Sequence, residues 1–345
     1  MAETAGDEAV ARWPDLLPWQ TDVAGEAIAA RSTWPHALLL DGPRGLGKRI
    51  LALNLARALL CESPGVQGFS CGRCASCRYV VAGQHPDLQL IEPFVVDEDG
   101  EVKAQDPIPV DRIRALIEWV QLTSHRGHAK VAVIAPAESM NLAAANALLK
   151  TLEEPPPATY LILVSHQPGR MPATLRSRCR RMPAPRPTTE VAESWLTQQG
   201  VTNPRFTLAQ AGGAPLLALA MAGADWQSER AVWLQALAKP YTLSPVALAA
   251  RIEAAPKDQR RERLGQCIEW MLAWTADLSR VVAGGAAARN ADFAAAFLPL
   301  AATVAPIPLF RYHRTLLRQR TLIAHPLQPR LVAEAILIGY RELFR

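Results

Sequence analysis

The sequence predicts an α/β fold: a parallel sheet flanked by helices and carrying a phosphate-binding loop, then a small helical lid and an all-helical C-terminal domain. Three observations predict it. The strand-like HALLLDG (36–42) runs directly into a glycine-rich loop and then into apolar residues at helical spacing. A second unit, KVAVIA (130–135), a helix and YLILVS (160–165), has strands apolar on both faces, the pattern of a covered parallel sheet. Beyond residue 225 only alanine- and leucine-rich runs remain, broken by proline and charge and without a strand pattern or repeat period.

At 345 residues the chain is long for one core. Pro183, Pro185 and Pro187 mark a boundary, giving a core over 1–184, a lid over 185–225 and a helical domain over 226–345. Half the residues are apolar, a fifth are charged and the formal charge is +5. That tilt permits contact with DNA or an acidic partner without establishing either. Residues 1–12 lack the basic start and apolar run of a signal peptide. The apolar region 281–310 is interrupted by Arg289, Asp292, Pro299, Pro306 and Pro308, which excludes a membrane span there. Nothing in the cysteine usage argues for secretion, so a cytoplasmic protein is expected.

Taken in order, 13–34 holds three tryptophans and one helix expected to pack beside the core. The loop GPRGLGKR follows, in which Gly42, Gly45, Gly47 and Lys48 have the pattern of backbone amides that cradle phosphates and a lysine that reaches the terminal ones. Leu51, Leu53, Leu55, Ala58 and Leu59 continue it as a helix. Arg49 stands where a serine or threonine hydroxyl normally ligates Mg²⁺, so Mg²⁺ is not expected. Ala135 and Pro136 stand where KVAVIA should end in metal-holding carboxylates.

Cys61, Cys71, Cys74 and Cys77, spaced C-x9-C-x2-C-x2-C, suit a tetrahedral structural zinc site with no open position. The acidic VVDEDGE (95–101) reads as an exposed loop. Asp111 is expected to cap a helix whose stripe is Ile113, Leu116, Ile117 and Val120. Leu142, Ala145, Leu148, Leu149 and Leu152 give the next helix one buried face, and Pro155, Pro156 and Pro157 stop it. The second strand then leads to five arginines between positions 170 and 181. In the helical remainder, LVAEAILIGYRELF is amphipathic and suits assembly or an internal core, and the isolated Cys267 is expected to be buried.

The words NALLKTLEEPP and LRSRC, at this separation, resemble the clamp-loader branch of the AAA+ nucleotide-binding proteins, and the resemblance covers nearly the whole chain. It implies an AAA+ core with a zinc module at 61–77, a lid and a collar domain. It implies that Arg178, between Ser177 and Cys179, acts as an arginine finger on ATP held by a neighbouring subunit. It makes His85-Pro86-Asp87 a structural turn and Glu138 a structural acid, and it puts Leu216 where a working member carries a sensor arginine. With Arg49, Ala135, Pro136 and Leu216, three parts of a hydrolytic site are missing, so the chain is not expected to hydrolyse ATP. Whether ATP or ADP still occupies the loop is open. The implied partners are gamma/tau ATPase subunits and a delta subunit in a hetero-pentamer that opens a sliding clamp and places it on primed DNA. The alternatives are an ATP-hydrolysing motor subunit of the same assembly and, against the modest charge, a zinc-dependent DNA-binding protein. Polymerase chemistry would belong to the holoenzyme.

Overall fold

The computed structural model describes residues 13–30, 33–96, 102–104, 107–323 and 328–345. It divides into two compact units, one reaching Trp195 and the other starting at Leu196. The first contains strands β1 (Ala37–Asp41), β2 (Leu88–Ile91), β5 (Lys130–Ile134), β6 (Thr159–Ser165) and β7 (Arg180–Pro183), paired in parallel in the order β2-β5-β6-β1-β7. A separate antiparallel hairpin joins β3 (Phe94–Val96) to β4 (Val102–Ala104). The acidic loop expected at 95–101 falls partly in β3, and its remainder lies outside the described residues.

The helices of this unit are α1 (Thr21–Ala29), α2 (Lys48–Leu60), α3 (Ala75–Val81), α4 (Val110–Gln121), α5 (Leu142–Glu153) and the single turn α6 (Ala173–Arg176), while α7 (Thr189–Gln198) runs across the division into the second unit. Alternating strand residues explain the unbroken apolar runs. Leu38, Leu40, Val131, Val133, Ile162 and Val164 face a core with Leu51, Leu55 and Leu59 of α2. Leu39, Ala132, Ile134, Leu161 and Leu163 face the opposite one, with Leu116 of α4 and Leu148 and Leu152 of α5. Both sheet faces are therefore covered, as a parallel sheet requires.

Two local expectations are corrected. Leu142 is exposed, and the buried face of α5 is made by Ala144, Ala145, Leu148, Thr151 and Leu152. Leu142 lies at the first position of the helix, where Asn141 caps it by accepting from the Ala144 amide at 2.7 Å. Asp111 does not cap α4, because the helix begins one residue earlier with Pro109 at the cap position. Asp111 sits in the exposed first turn and pairs with Arg114.

The second unit is helical throughout its described residues: α8 (Pro204–Gln210), α9 (Pro215–Met221), α10 (Ala224–Leu237), α11 (Pro245–Glu253), α12 (Arg260–Val282), α13 (Ala294–Thr303), α14 (Pro306–Leu322) and α15 (Pro329–Glu342). Its core is built around α12, where Trp270, Met271, Trp274 and Leu278 meet Trp233, Phe297, Leu316, Leu337 and Tyr340. Polar groups drawn into this core find partners: Trp274 Nε1 donates to Tyr340 Oη at 2.8 Å, and that hydroxyl donates to Leu237 O at 2.9 Å. Buried Asp277 accepts from the amides of Ala288, Arg289 and Asn290. Cys267 is buried among these residues, as expected.

Candidate functional site

The phosphate loop leaves β1 at Asp41 and enters α2 at Lys48. Gly47, at the cap of α2, has φ +81°, and a Cβ there would lie 2.3 Å from Leu17 Cδ1, so a side chain is excluded twice over. The turn Pro18–Gln20 holds the loop from outside. Trp19 Nε1 donates to Leu46 O at 3.1 Å, and Gln20 Nε2 donates to Gly47 O at 2.7 Å. Sequence patterning placed the tryptophan-rich segment beside the core but did not single out Gln20, a polar residue that is fully buried.

Lys48 does not reach outward. The residue is 2% exposed, and its ammonium donates to Gly42 O at 2.7 Å and Pro43 O at 2.5 Å. Burial lowers its pKa to about 8 against the favourable charges of Glu138 and Asp41. Arg49 is likewise engaged, its Nε and Nη2 bonding both carboxylate oxygens of Glu92 at 2.6 and 2.9 Å. Glu92 follows β2, beside the end of β5, where Ala135 N donates to Ile91 O at 2.9 Å. A partly buried ion pair thus stands next to the position that lacks its metal-binding carboxylates.

Around Lys48, Glu138 Oε1 accepts from the amides of His166 and Gln167 at 2.8 and 3.0 Å, fixing the turn after β6. Asp41 binds Arg181 of β7. Burial, reinforced by the Lys48 charge, lowers the His166 pKa to about 4, so that imidazole is neutral at ordinary pH. Asp41 Oδ1, Glu138 Oε2, Ser165 Oγ and His166 Nδ1 are buried polar atoms without a hydrogen-bond partner in this neighbourhood. Only Glu138 of these four residues was noted in the sequence; the others carry no motif of their own.

The Ser-Arg-Cys turn follows α6. Arg178 Nε donates to Glu153 Oε1 at 2.6 Å, its Nη2 meets the same oxygen, and Nη1 donates to Thr174 O at 2.8 Å. Glu153 ends α5, so the glutamate of NALLKTLEEPP and the arginine of LRSRC meet as an ion pair. The two side chains remain 33% and 48% exposed, Arg178 and Glu153 respectively. Ser177 Oγ donates back to Thr174 O, while Cys179 is buried and donates to Leu175 O. Burial raises the Cys179 thiol to about 11, so this cysteine packs as an apolar group. Arg176 and Arg180 belong to the same turn and strand start, with Arg180 exposed.

The four cysteines converge. Cys61 follows α2, Cys71 and Cys74 precede α3 and Cys77 lies in its first turn, with all four Sγ atoms within 4.8 Å of one another. Thiolates about 2.3 Å from a tetrahedral metal lie about 3.8 Å apart, and Cys61 Sγ and Cys74 Sγ are separated by 3.9 Å. Amides of Cys71, Cys74 and Cys77 donate to the sulfurs of Cys61, Cys71 and Cys74 at 3.3 to 3.4 Å. Such donors favour thiolates and orient them toward a cation. The amides of Arg73 and Cys74 lower the Cys71 thiol to about 6, whereas burial pushes Cys77 up to about 12. The donor set and its spacing fit a metal ion.

His85 and Asp87 tie this module to the sheet. The Asp87 amide donates to His85 Nδ1 at 3.0 Å, which leaves the His85 proton on Nε2 to donate to Ser76 Oγ at 2.9 Å. Ser76 Oγ donates to Glu62 at 3.1 Å, and Arg126 binds the same carboxylate through Nε at 2.9 Å. Asp87 accepts from Ser124 Oγ and from the amides of His125 and Arg126 at 2.8 to 3.0 Å. Burial alone would raise the Asp87 pKa, but these donors outweigh it and hold the carboxyl below its usual range. Every one of these groups is committed to a structural bond, the arrangement of a brace.

Comparison with known proteins is consistent with this geometry. A family described as "DNA polymerase III, delta subunit" matches residues 25–187. DNA polymerase III subunit delta' of Pseudomonas aeruginosa is 36% identical over 272 residues, covering 77% of this chain and 78% of that one. The Escherichia coli subunit delta' is 34% identical over 276 residues, covering 79% and 78%. DNA polymerase III subunit tau of Escherichia coli is 37% identical over 144 residues, covering 42% of this chain and 20% of that protein.

Proposed function

The chain belongs to the family of DNA polymerase III delta-prime subunits, and we propose that it is a clamp-loader subunit that hydrolyses no ATP and lends Arg178 to a neighbour that does. The observation that carries this reading is the contrast in what the basic groups hold. Lys48 is buried on the carbonyls of its own loop, and Arg49 is closed on a Glu92 carboxylate that is only 9% exposed, whereas Arg178 pairs with Glu153, whose side chain is 48% exposed. An exposed ion pair is worth only about 0–1 kcal/mol, so a phosphate brought close by another subunit competes with Glu153 at little cost.

In the proposed mechanism, the adjacent gamma/tau ATPase subunit binds the nucleotide and its metal. Arg178 leaves Glu153 and places its guanidinium on the transferred phosphoryl group, where charge grows in the transition state. Arginine fingers of this kind are worth about 10³–10⁵ in rate. Because the finger comes from another chain, hydrolysis depends on correct assembly with gamma/tau and delta in a hetero-pentamer. ATP turnover is thereby linked to the placing of the sliding clamp on primed DNA. Ser177 and Cys179 position the turn, one through Thr174 O and the other by burial.

The metal is zinc in this reading. Cys61, Cys71, Cys74 and Cys77 would hold it through four thiolates, which would leave no open coordination position, so the ion would staple the insertion. The work of the subunit lies in the cytoplasm, among the replication proteins.

The test is DNA- and clamp-stimulated ATP turnover by the reconstituted loader with Arg178→Ala, assembly being checked by mass. Turnover at the one ATPase site that Arg178 serves is expected to fall at least about 10³-fold in an intact pentamer, lowering the total to what the remaining ATPase subunits supply, while the purified wild-type chain stays inactive. Unchanged turnover in an intact ring refutes the finger. Mg²⁺-dependent hydrolysis by the purified chain instead points to the motor-subunit alternative.

A further inference from the structure

The second unit carries a basic stripe that none of the preceding sites uses. Between Asp292 and Glu334 the sequence contains no acidic residue, and α14 falls inside that interval. Its buried side is Leu309, Tyr312 and Leu316. Arg311, Arg314 and Arg318 lie on the exposed side, three and four residues apart. At 1.5 Å rise per residue they step about 4.5 and 6 Å along the helix axis. Ile307 and Phe310, 65% and 56% exposed, continue that side toward the N-terminus.

Several other arginines of this unit are held by carboxylates. Arg230 pairs with Asp292, Arg251 with Glu229, Arg320 with Glu269 and Arg330 with Glu253 and Glu334. Among the described residues, Arg311, Arg314 and Arg318 have no carboxylate partner. Like charges three and four apart disfavour the helix that carries them, and no ion pair among the described residues of the unit offsets the row.

We propose that this face of α14 binds single-stranded nucleic acid. The three guanidiniums would take successive backbone phosphates, for which their planar donor forks are suited. Phe310 would offer a ring on which a base stacks, and the adjoining Ile307 an apolar edge. Basic groups following a flexible backbone beside an exposed aromatic ring are the combination single-strand binding uses, without sequence preference. A duplex presents stacked bases whose faces Phe310 cannot reach, and an acidic protein surface gives that ring no comparable partner. The inference does not rest on the role assigned to Arg178, because it concerns the single chain without nucleotide.

The experiment is fluorescence anisotropy of a labelled oligothymidylate titrated with the full-length chain over a series of salt concentrations. Arg311→Gln, Arg314→Gln and Arg318→Gln are combined in one variant, and circular dichroism confirms its helical content and melting. The affinity is expected to fall at least about tenfold at low salt, and the salt slope to shrink by about 2, the loss of three single-strand phosphate contacts. Phe310→Ala is expected to weaken binding severalfold with the slope unchanged. Arg73→Gln with Arg78→Gln, on the cysteine module, is expected to change the affinity less than twofold. The proposal is overturned if the wild-type chain does not bind at low salt, or if the triple variant retains both affinity and slope. It is also overturned if that variant binds DNA normally but drops out of the assembled loader, which would assign the stripe to an acidic protein surface.

Discussion

The phosphate loop and the Ser-Arg-Cys turn both present basic side chains near the sheet, yet they differ in what those side chains hold. Lys48 folds back onto the carbonyls of its own loop, and Arg49 is closed bidentately on Glu92. Arg178, itself half-buried, rests on the more exposed Glu153. Lys48 is buried with its partners, and taking Arg49 away would leave the largely buried Glu92 carboxylate unpaired, whereas the Arg178–Glu153 pair, open to solvent on both sides, exchanges one anion for another at small cost. The charge of a residue therefore says less about its availability than its burial and its present bonds do.

The sharpest way to break this comparison is to exchange the two lysine and arginine lesions. Lys48→Ala in the reconstituted loader is expected to leave stimulated ATP turnover at the site served by Arg178 within about threefold of wild type, against the loss of about 10³ expected there from Arg178→Ala. A comparable loss from Lys48→Ala would show that the loop participates directly.

Metal removal comes next. Metal analysis of the purified chain is expected to give one zinc per chain. Chelation, or Cys74→Ser, is expected to abolish hydrogen-exchange protection across 61–81 while strands β1, β5 and β6 stay protected. Simultaneous loss of protection in those strands would mean that the module is part of the central core.

A smaller effect tests the inward region itself. Arg49→Ala leaves the largely buried Glu92 carboxylate without its bidentate partner and is expected to cost about 1–3 kcal/mol in denaturant unfolding. Arg49→Ala with Glu92→Ala removes both charges and should recover part of that loss. Strict additivity would show that the pair contributes nothing. The smallest effect belongs to the outward region: Glu153→Ala is expected to change stability by no more than about 1 kcal/mol, with the pentamer intact. A large loss would mean that Arg178 is locked rather than available.

Much of the fold was legible because period and composition report burial directly. The alternating faces of Leu38, Leu39 and Leu40 explain a run that sequence reading could already assign to a covered parallel strand. The cysteine spacing was equally legible, since close ligands on short turns leave few ways to converge. Leu142 misled because apolar character at a helix start says nothing about which way the first turn faces. Arg49 was recognisable as a residue unable to bind a cation, but its partner Glu92 is 43 residues away and belongs to no shared motif. Gln20, Ser165 and His166 were missed for the same reason: burial of a polar residue is decided by tertiary contacts that leave no periodic trace.

The Arg49–Glu92 pair has a mechanical consequence. Helix α2 begins beside Arg49 and ends at Cys61, and strand β2 runs from just after Asp87 to just before Glu92. One end of this helix and strand is clasped by the ion pair, and the other by the thiol cluster with its Glu62, His85 and Asp87 bonds. Two members pinned at both ends form a closed frame that resists sliding along its length. Force applied at the phosphate loop is then passed on as displacement of the whole frame, with little of it absorbed as internal shear.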